Sequence, residues 1–390
     1  AGFSAQWVEQ VIKAHQHASD TVFLDPFVGS GTTMLAAESA GVQGYGIEAH
    51  PFVARIAKAK LLYRSNPTSY LALATTIRKN AASLRGNLDS YPLLIRKCFT
   101  DESLQRLDRL RQSWETCRDG SRASELAWLT LVSILRTSSH VGTAPWQYVL
   151  PNKKKTGVLE PFQAFGLMAQ TIASDMRMMQ RLISGPPASL IQSDARSCPE
   201  LPDGFVDLVI TSPPYANNYD YADATRLEMS FMGEVKGWGD LQDAVRRYLV
   251  RSCSQHLPDG AIQLDQIISA EELASIKAEI SDVCARLSEE RHRHGGKKTY
   301  HLMVACYFFD IAKVWASLRR VCKPGALVCF VIGDSAPYGI YVPVIEWLGQ
   351  LAVAFGFHSY EFEKTRDRNI KWKNRKHRVP LCEGRLWVKG

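Results

Sequence analysis

Four consecutive residues just past the middle of the chain, Ser212-Pro213-Pro214-Tyr215, could do chemistry at the end of a strand. The apolar run Val206–Thr211 predicts that strand, and the prolines must end it because proline cannot donate to a sheet ladder. They also fix the backbone, so the Ser212 hydroxyl and the Pro213 carbonyl become preset hydrogen-bond acceptors beside the flat ring of Tyr215. Two acceptors on the hydrogens of a ring-conjugated amine would draw its nitrogen toward sp3 geometry and make it a better nucleophile.

A glycine-containing turn near the N-terminus is a second candidate site. Residues Asp25–Thr33 read Asp-Pro-Phe-Val-Gly-Ser-Gly-Thr-Thr, after a short apolar strand signal and before a predicted helix. Glycine lets a ligand approach the backbone closely. Glu48 lies about twenty residues beyond, where an acid in Rossmann-like sites accepts hydrogen bonds from ribose hydroxyls. Met34 replaces the third glycine of the dinucleotide fingerprint, which favours a single nucleoside-type cofactor.

Alternating strands and helices must position these residues. The predicted strands are Thr21–Asp25, Gly44–Glu48, Ser189–Asp194, Val206–Thr211, Ala326–Ile332 and two stretches near 358–364 and 384–389. The predicted helices are Met34–Ala40, Pro51–Tyr63, Val304–Arg320 and Val342–Phe355, and a turn is predicted at Lys323–Gly325. Such alternation predicts an α/β fold with a Rossmann-like, doubly wound sheet.

Two helical insertions interrupt the alternation. We expect a discontinuous catalytic domain of residues 1–63, 189–235 and 300–390. Residues 64–188 show mostly helical periodicity and form the first insertion, whose size and charge suit a target-recognition region. Residues 236–299 form the second.

The net charge of +8 is unevenly distributed. Residues 361–390 hold ten Lys/Arg and four Asp/Glu, and residues 64–190 hold seventeen and nine. Two basic regions suggest a polyanionic partner, although a solvated surface remains an alternative. No apolar run reaches the ~18 residues of a membrane span, and no secretory leader is visible. The nine cysteines lack the spacing typical of disulfide frameworks or zinc sites, so we expect no metal and reduced thiols in the cytoplasm.

The strings DPFVGSGTT and GYGIE together resemble the cofactor motif of DNA amino-methyltransferases. The resemblance implies a methyltransferase sheet, S-adenosyl-L-methionine as cofactor and double-stranded DNA as substrate. It also implies that Asp25, Phe27, Gly29 and Gly31 line the methionine part, that Glu48 holds the ribose and that Asp194 meets the adenine edge. A looser match in GFSAQW adds Phe3 and Ser4. The whole expected cofactor set is Phe3, Ser4, Asp25, Pro26, Phe27, Gly29, Ser30, Gly31, Thr32, Thr33, Glu48, Ala49, Asp194, Ala195 and Ser212.

The Ser212–Tyr215 corner resembles the catalytic (Asp/Asn/Ser)-Pro-Pro-(Tyr/Phe/Trp) motif of the same family. By that resemblance Ser212, Pro213, Pro214 and Tyr215 are catalytic, and Tyr215 stacks on a base flipped out of the duplex. A leading Ser is typical of cytosine-N4 enzymes, whereas Asp or Asn is usual for adenine N6. We therefore predict N4 methylation of cytosine, with adenine N6 as the alternative. Carbon-5 methylation would need a Pro-Cys dipeptide, which the chain lacks.

Further stretches resemble the family, and one feature departs from it. Residues 216–233 and 318–335 are similar to segments that follow the catalytic corner, so the resemblance covers about half the chain. The cofactor motif precedes the catalytic motif, which reverses the order of many Ser-Pro-Pro-Tyr enzymes.

Two clusters of cations are candidate DNA contacts. Lysine and arginine would neutralise phosphates, while Asn369 or Asn374 could reach base edges. The expected cations are Lys153, Lys154, Lys155, Arg366, Arg368, Lys371, Lys373, Arg375, Lys376 and Arg378.

These features predict a site-specific methyltransferase of a restriction-modification or phage/host DNA modification system. A cognate restriction endonuclease is a candidate partner, and the oligomeric state and target sequence stay open. The alternatives are an RNA or tRNA base methyltransferase and a catalytically inactive DNA-binding module.

Overall fold

The computed structural model describes residues 3–16, 20–143, 148–257, 262–295, 298–368 and 379–390. The strands are β1 Val22–Asp25, β2 Gln43–Ile47, β3 Val141–Thr143, β4 Val149–Lys154, β5 Ser189–Ile191, β6 Val206–Thr211, β7 Cys322–Gly333, β8 Ser359–Arg368 and β9 Leu381–Lys389. The helices are α1 Ala5–His15, α2 Thr32–Ala40, α3 Pro51–Leu61, α4 Pro67–Ser83, α5 Leu93–Cys98, α6 Asp101–Cys117, α7 Arg122–Ser138, α8 Pro161–Leu182, α9 Tyr221–Ala224, α10 Arg226–Met232, α11 Leu241–Ala244, α12 Leu264–Ile268, α13 Lys277–Arg293, α14 Tyr300–Val321 and α15 Val344–Ala354.

Seven strands form one sheet in the order β5-β2-β1-β6-β7-β9-β8. The pairs from β5 to β7 are parallel, whereas β9 runs antiparallel to both β7 and β8. The order reverses between β1 and β6, and open α/β sheets bind ligands at such a switch point, beyond the carboxyl ends of the strands. The predicted α/β fold with a Rossmann-like, doubly wound sheet is therefore confirmed.

Contacts divide the chain into two compact units. The sheet unit comprises residues 1–50, 185–220 and 246–390, and the helical unit comprises residues 51–184 and 221–245. The helical unit also holds the two-stranded antiparallel ribbon β3–β4, which the helical periodicity did not predict.

The bounds of these units differ from the domain bounds drawn on the sequence. Helix α3 belongs to the helical unit because Phe52 packs edge-on against Trp128 with ring centroids 5.4 Å apart. Residues 221–235 belong to it as well, and there Glu228 lies 2.5 Å from Arg136 Nε. Residues 246–295, expected as part of an insertion, lie in the sheet unit because their apolar side chains, such as Leu273, are buried in the same core as β7.

Helix α14 is the central packing element of the sheet unit. Its Trp315 stacks on Phe330 of β7 with ring centroids 4.4 Å apart, and Phe308 packs edge-on against Trp347. By length and composition this is the one helix of the described residues that could cross a membrane, but 78% of the qualifying window is buried inside the fold. Its apolar composition is accounted for by that burial.

The predicted turn at Lys323–Gly325 lies inside β7 as an irregularity. The register with β6 jumps from Val206 opposite Cys322 to Leu208 opposite Leu327, and Gly325 adopts a φ of +80°. Four residues of β7, 323–326, lie between the paired positions where β6 has one, so the turn interrupts the ladder and the first pair of the strand precedes it.

Candidate cofactor and target-amine site

Asp25 joins the two motifs that the sequence placed far apart. It ends β1, and its buried carboxylate accepts hydrogen bonds from Thr33 Oγ1 at 2.7 Å and from the Phe27 amide at 2.9 Å. It also accepts one from Thr211 Oγ1, 186 residues away, at 2.5 Å. Burial raises the pKa of Asp25 to about 6, although these three hydrogen bonds oppose the shift. The residue before Ser212 is thus tied to the start of the glycine turn.

Glu48, at the end of the neighbouring strand β2, holds the glycine turn by a hydrogen bond. It follows β2, and its carboxylate accepts the Gly29 amide at 2.9 Å and the His50 amide at 2.8 Å. Burial raises the pKa of Glu48 to about 7 and outweighs the backbone hydrogen bonds that lower it. An added Cβ on Gly29 would meet nothing within 4 Å, so the backbone faces open space there.

Asp194 lies beyond β5 and is held by an arginine. Its side chain is 39% exposed and forms an ion pair with Arg196 at 2.7 Å. Arg196 is also 3.4 Å from Asp310, which binds Arg251 at 2.6 Å. No sequence pattern predicts this network, because its members come from separate segments. Ala195 is buried in the core.

The Ser212–Tyr215 corner follows β6 directly. Ser212 Oγ donates to the Val331 carbonyl of β7 at 3.1 Å, and Pro213 is buried. Because the hydroxyl hydrogen is committed to Val331, the lone pairs of the serine oxygen can accept other hydrogens. The hydroxyl is therefore oriented as an acceptor.

Tyr215 is 5% exposed, and its ring lies under an arginine. The guanidinium carbon of Arg368 is 5.4 Å from the ring centroid. The loop after the corner is fixed as well: Ser335 Oγ donates to the Ala216 carbonyl, and Asn218 Oδ1 accepts the Ser254 amide at 2.8 Å.

The other expected cofactor residues have varied surroundings. Ser4 caps α1 by accepting the Trp7 amide at 3.1 Å, and Phe3 lies 5.6 Å from the Trp7 ring. In the turn itself, Pro26 and Gly31 are buried, Phe27 and Thr32 are half-buried and Ser30 is exposed, while Ala49 after Glu48 is half-buried. No hydrogen bond described here connects Phe3 or Ser4 to the glycine turn.

The expected DNA-contacting cations fall into three groups. Lys153, Lys154 and Arg366 are exposed. Lys155 is half-buried and donates to the Arg136 carbonyl, and Arg368 is 16% exposed, so neither is a free surface cation. The expected contacts at Lys371, Lys373, Arg375, Lys376 and Arg378, together with Asn369 and Asn374, lie outside the described residues.

Thr211 and Val331 were missed as site residues. The position of Thr211, directly before the corner, was the signal that could have identified it. Val331 accepts the Ser212 hydroxyl through its backbone carbonyl, and no sequence pattern reveals such a contact. Among the residues described, no group of three His, Cys, Asp or Glu could hold a metal ion.

The residues at this edge fit S-adenosylmethionine. The turn offers open backbone at Gly29, and the Glu48 carboxylate beside it is an acceptor of the kind that holds a ribose. The buried Asp25 connects this cradle to the corner that carries Ser212 and Tyr215.

Comparisons with known proteins find sequence similarity to DNA methylases and type II methyltransferases. The family model described as DNA methylase, for N6 and N4 amino-methyltransferases, matches residues 1–59. Type II methyltransferase M.BsoBI of Geobacillus stearothermophilus is 26% identical over 396 residues, covering 91% of this chain and 77% of that protein. Type II methyltransferase M.AvaI of Nostoc sp. is 25% identical over 387 residues with the same coverage. Type II methyltransferase M.MjaII of Methanocaldococcus jannaschii is 41% identical over 59 residues, 15% of this chain and 11% of that protein.

Fold and site define a Rossmann-like methyltransferase that uses S-adenosyl-L-methionine. Within that class, the chain is similar to DNA amino-methyltransferases of the N4/N6 family.

Proposed function

We propose that this protein transfers a methyl group from S-adenosyl-L-methionine to the exocyclic N4 amine of a cytosine in double-stranded DNA. The modification would belong to a type II restriction-modification system, as the names of its relatives suggest. The observation that carries the proposal is the hydrogen bond from Thr211 to Asp25, because it sets the expected amine acceptors beside the expected cofactor cradle.

The cradle residues bind and orient the cofactor. Glu48 would accept the ribose hydroxyls, while Asp25, Phe27, Gly29 and Gly31 would line the methionine part. Asp194 would meet the adenine edge, with Arg196 holding its carboxylate in place. When bound, S-adenosylmethionine supplies a methyl group on a positively charged sulfur that a nitrogen lone pair can attack.

The corner residues prepare the amine. An exocyclic amine delocalises its lone pair into the ring, so it must become more tetrahedral before it attacks. Ser212 Oγ, with its hydrogen committed to Val331, and the Pro213 carbonyl would accept the two amine hydrogens. Because the prolines fix both acceptors in advance, little reorganisation is needed during the reaction. Catalysis would be mainly positioning, without a covalent enzyme intermediate.

The target base must leave the duplex to reach this corner. Tyr215 would stack on the flipped base. Ser212 favours cytosine by the family association, and adenine N6 is the second candidate because the same two acceptors suit either amine.

Exposed cations would hold the DNA backbone. Lys153 and Lys154 in the helical unit and Arg366 in the sheet unit are the described candidates. The helical unit would carry the target recognition, and a cognate endonuclease would act on the same sequence.

The direct test is methyl transfer from tritiated S-adenosylmethionine to plasmid DNA and, in parallel, to bulk tRNA. We expect label in the DNA fraction only. The matched control is Tyr215→Ala, which should lower transfer by roughly a hundredfold because one base–aromatic stack is lost. Its affinity for S-adenosylmethionine, measured by calorimetry, should stay within about twofold because the stacking face lies outside the cradle. Label in tRNA alone, or full transfer by Tyr215→Ala, would contradict the proposal.

A further inference from the structure

Arg368 is largely buried at the edge of the candidate site instead of projecting into solvent. It ends β8, and its Nη1 donates to the Asp334 carbonyl just after β7 at 2.7 Å. Its Nε lies 3.7 Å from the buried carboxylate of Glu383. With 16% of its side chain exposed and its guanidinium 5.4 Å from the centroid of Tyr215, it has little surface to offer a phosphate.

Gly333 at the end of β7, two strands away in the sheet, leaves room for this side chain. An added Cβ on Gly333 would lie 3.1 Å from Arg368 Cδ and 3.2 Å from its Nη1, and 2.7 Å from the Cys382 carbonyl. Gly333 follows Val331, which receives the Ser212 hydroxyl, by two residues. The same end of β7 therefore orients Ser212 and seats the arginine that lies over Tyr215.

Arg366 provides an internal contrast. It lies two residues earlier on β8 and shares Glu383, at 2.6 Å, but 61% of its side chain is exposed. The two arginines carry the same charge and contact the same carboxylate. They differ in burial and in contact with the Tyr215 ring.

We propose that Arg368 is a positioning residue of the target-base pocket, which holds the ring of Tyr215 through a cation–π contact and does not bind DNA phosphate. A partly desolvated guanidinium over a tyrosine face is attracted by the ring quadrupole. Because two neighbouring groups also anchor that guanidinium, the ring is held in a fixed orientation three residues from Ser212. The inference rests on the proposed function, since a base pocket has meaning only if a base is methylated.

The experiment compares Arg368→Met and Arg368→Lys with Arg366→Gln in the full chain. Methionine keeps the length and packing of the side chain but removes the charge. Lysine keeps the charge but lacks the planar guanidinium group. For each variant we would measure kcat and KM on plasmid DNA, the salt dependence of plasmid binding, and S-adenosylmethionine affinity as a check of folding.

Opposite signatures are expected from the two arginines. Arg368→Met should lower kcat by roughly tenfold with an unchanged salt slope, and Arg368→Lys should recover part of the loss. Arg366→Gln should raise KM and reduce the salt slope by about 0.9 for one phosphate contact. If Arg368→Met instead reduced the salt slope by that amount, or left kcat unchanged, the inference would be wrong.

A double-mutant cycle tests whether Arg368 acts through Tyr215. In a Tyr215→Leu background, Arg368→Met should add almost nothing, because the ring it positions is already gone. An undiminished tenfold loss in that background would overturn the inference even if the wild type methylates DNA. A wild-type protein that transfers no methyl to DNA would instead overturn the proposed function, and this inference with it.

Discussion

At the scale of single residues, the candidate site contains two acids with raised pKa values, of which Asp25 is buried and Glu48 is half-buried. Asp25, with a pKa of about 6, and Glu48, with a pKa of about 7, both end strands of the sheet, and burial is the main cause of each shift. The folded protein therefore binds more protons at these acids than the unfolded chain. Their contribution to stability is complete below about pH 4 and is lost as the pH rises toward 7.

Cofactor binding should depend on pH in the opposite direction. Ribose hydroxyls donate to the ionised form of Glu48, so binding should be strongest above its pKa of about 7 and should weaken as the pH falls through that value. Below it we expect the affinity to approach a tenfold loss per pH unit. Calorimetry between pH 6 and 8.5 would measure this, with Glu48→Gln as a weaker-binding control that should show a flatter profile. Equal affinity for the wild type across that range would argue against the ribose role.

At the candidate site, the residue types at the strand ends could be read from the sequence, whereas the contacts between those residues could not. Asp25, Glu48 and Ser212 stand at strand ends in recognisable strings, so sequence alone could select them. The burial of Arg368 against Tyr215 could not be predicted in the same way. Arg368 lies in a stretch rich in lysine and arginine, which suggested a contact with DNA phosphate. Its burial over Tyr215 depends on the space left by Gly333, which lies on a different strand.

At the scale of elements, the glycine turn is held by close packing of β2 against it. An added Cβ on Gly46 would lie 2.9 Å from both Met34 Sδ of α2 and Val28 Cγ2 in the turn. The small residue lets the strand, the turn and the helix approach one another, and Glu48 follows two residues later. The shape of the proposed cofactor cradle thus depends on Gly46 of the GYGIE string as well as on the glycines of the turn.

Gly46→Ala should therefore destabilise the protein by about 1–3 kcal/mol through overpacking and should weaken S-adenosylmethionine binding. Urea unfolding and calorimetry would measure the two effects. Gly239→Ala is the matched control, since its added Cβ would meet nothing within 4 Å. Equal unfolding free energies for the two variants would contradict the packing argument.

Regular elements were predictable where the hydrophobic pattern was strong. The apolar strands β1 and β6 and the helix α14 follow it closely, because each is largely buried. The ribbon β3–β4 was missed since its second strand contains Pro151, Asn152 and lysines, which weaken any strand signal. The Lys-Pro-Gly turn at 323–325 was predicted, but the pairing of Cys322 before it was not.

At the scale of the whole molecule, the chain contains a sheet with the candidate site and an insertion, residues 64–190, that is rich in lysine and arginine. The excess of Lys/Arg over Asp/Glu between residues 64 and 190 matches a polyanionic substrate. Unit bounds could not be taken from periodicity, because helices of both units look alike in sequence and differ only in what they pack against.

Lys153 and Lys154 should contribute to DNA binding, whereas Lys155 should not. Replacing the first two by Gln should reduce the slope of log affinity against log salt by up to about 2, because each phosphate contact contributes about 0.9. Lys155→Gln is the control, since its amine donates to the Arg136 carbonyl and burial lowers its pKa. Filter binding to plasmid DNA at several salt concentrations would measure the slopes. A larger slope change from Lys155→Gln than from the pair would contradict this assignment.

Mass spectrometry of nucleosides from plasmid DNA, after methylation by the purified protein with deuterated S-adenosylmethionine, would identify the modified base. We expect labelled N4-methyldeoxycytidine from the wild type and none from the variant that combines Ser212→Ala with Tyr215→Ala. Labelled N6-methyldeoxyadenosine would contradict the choice of base, and the absence of any labelled amine would contradict the account of the site.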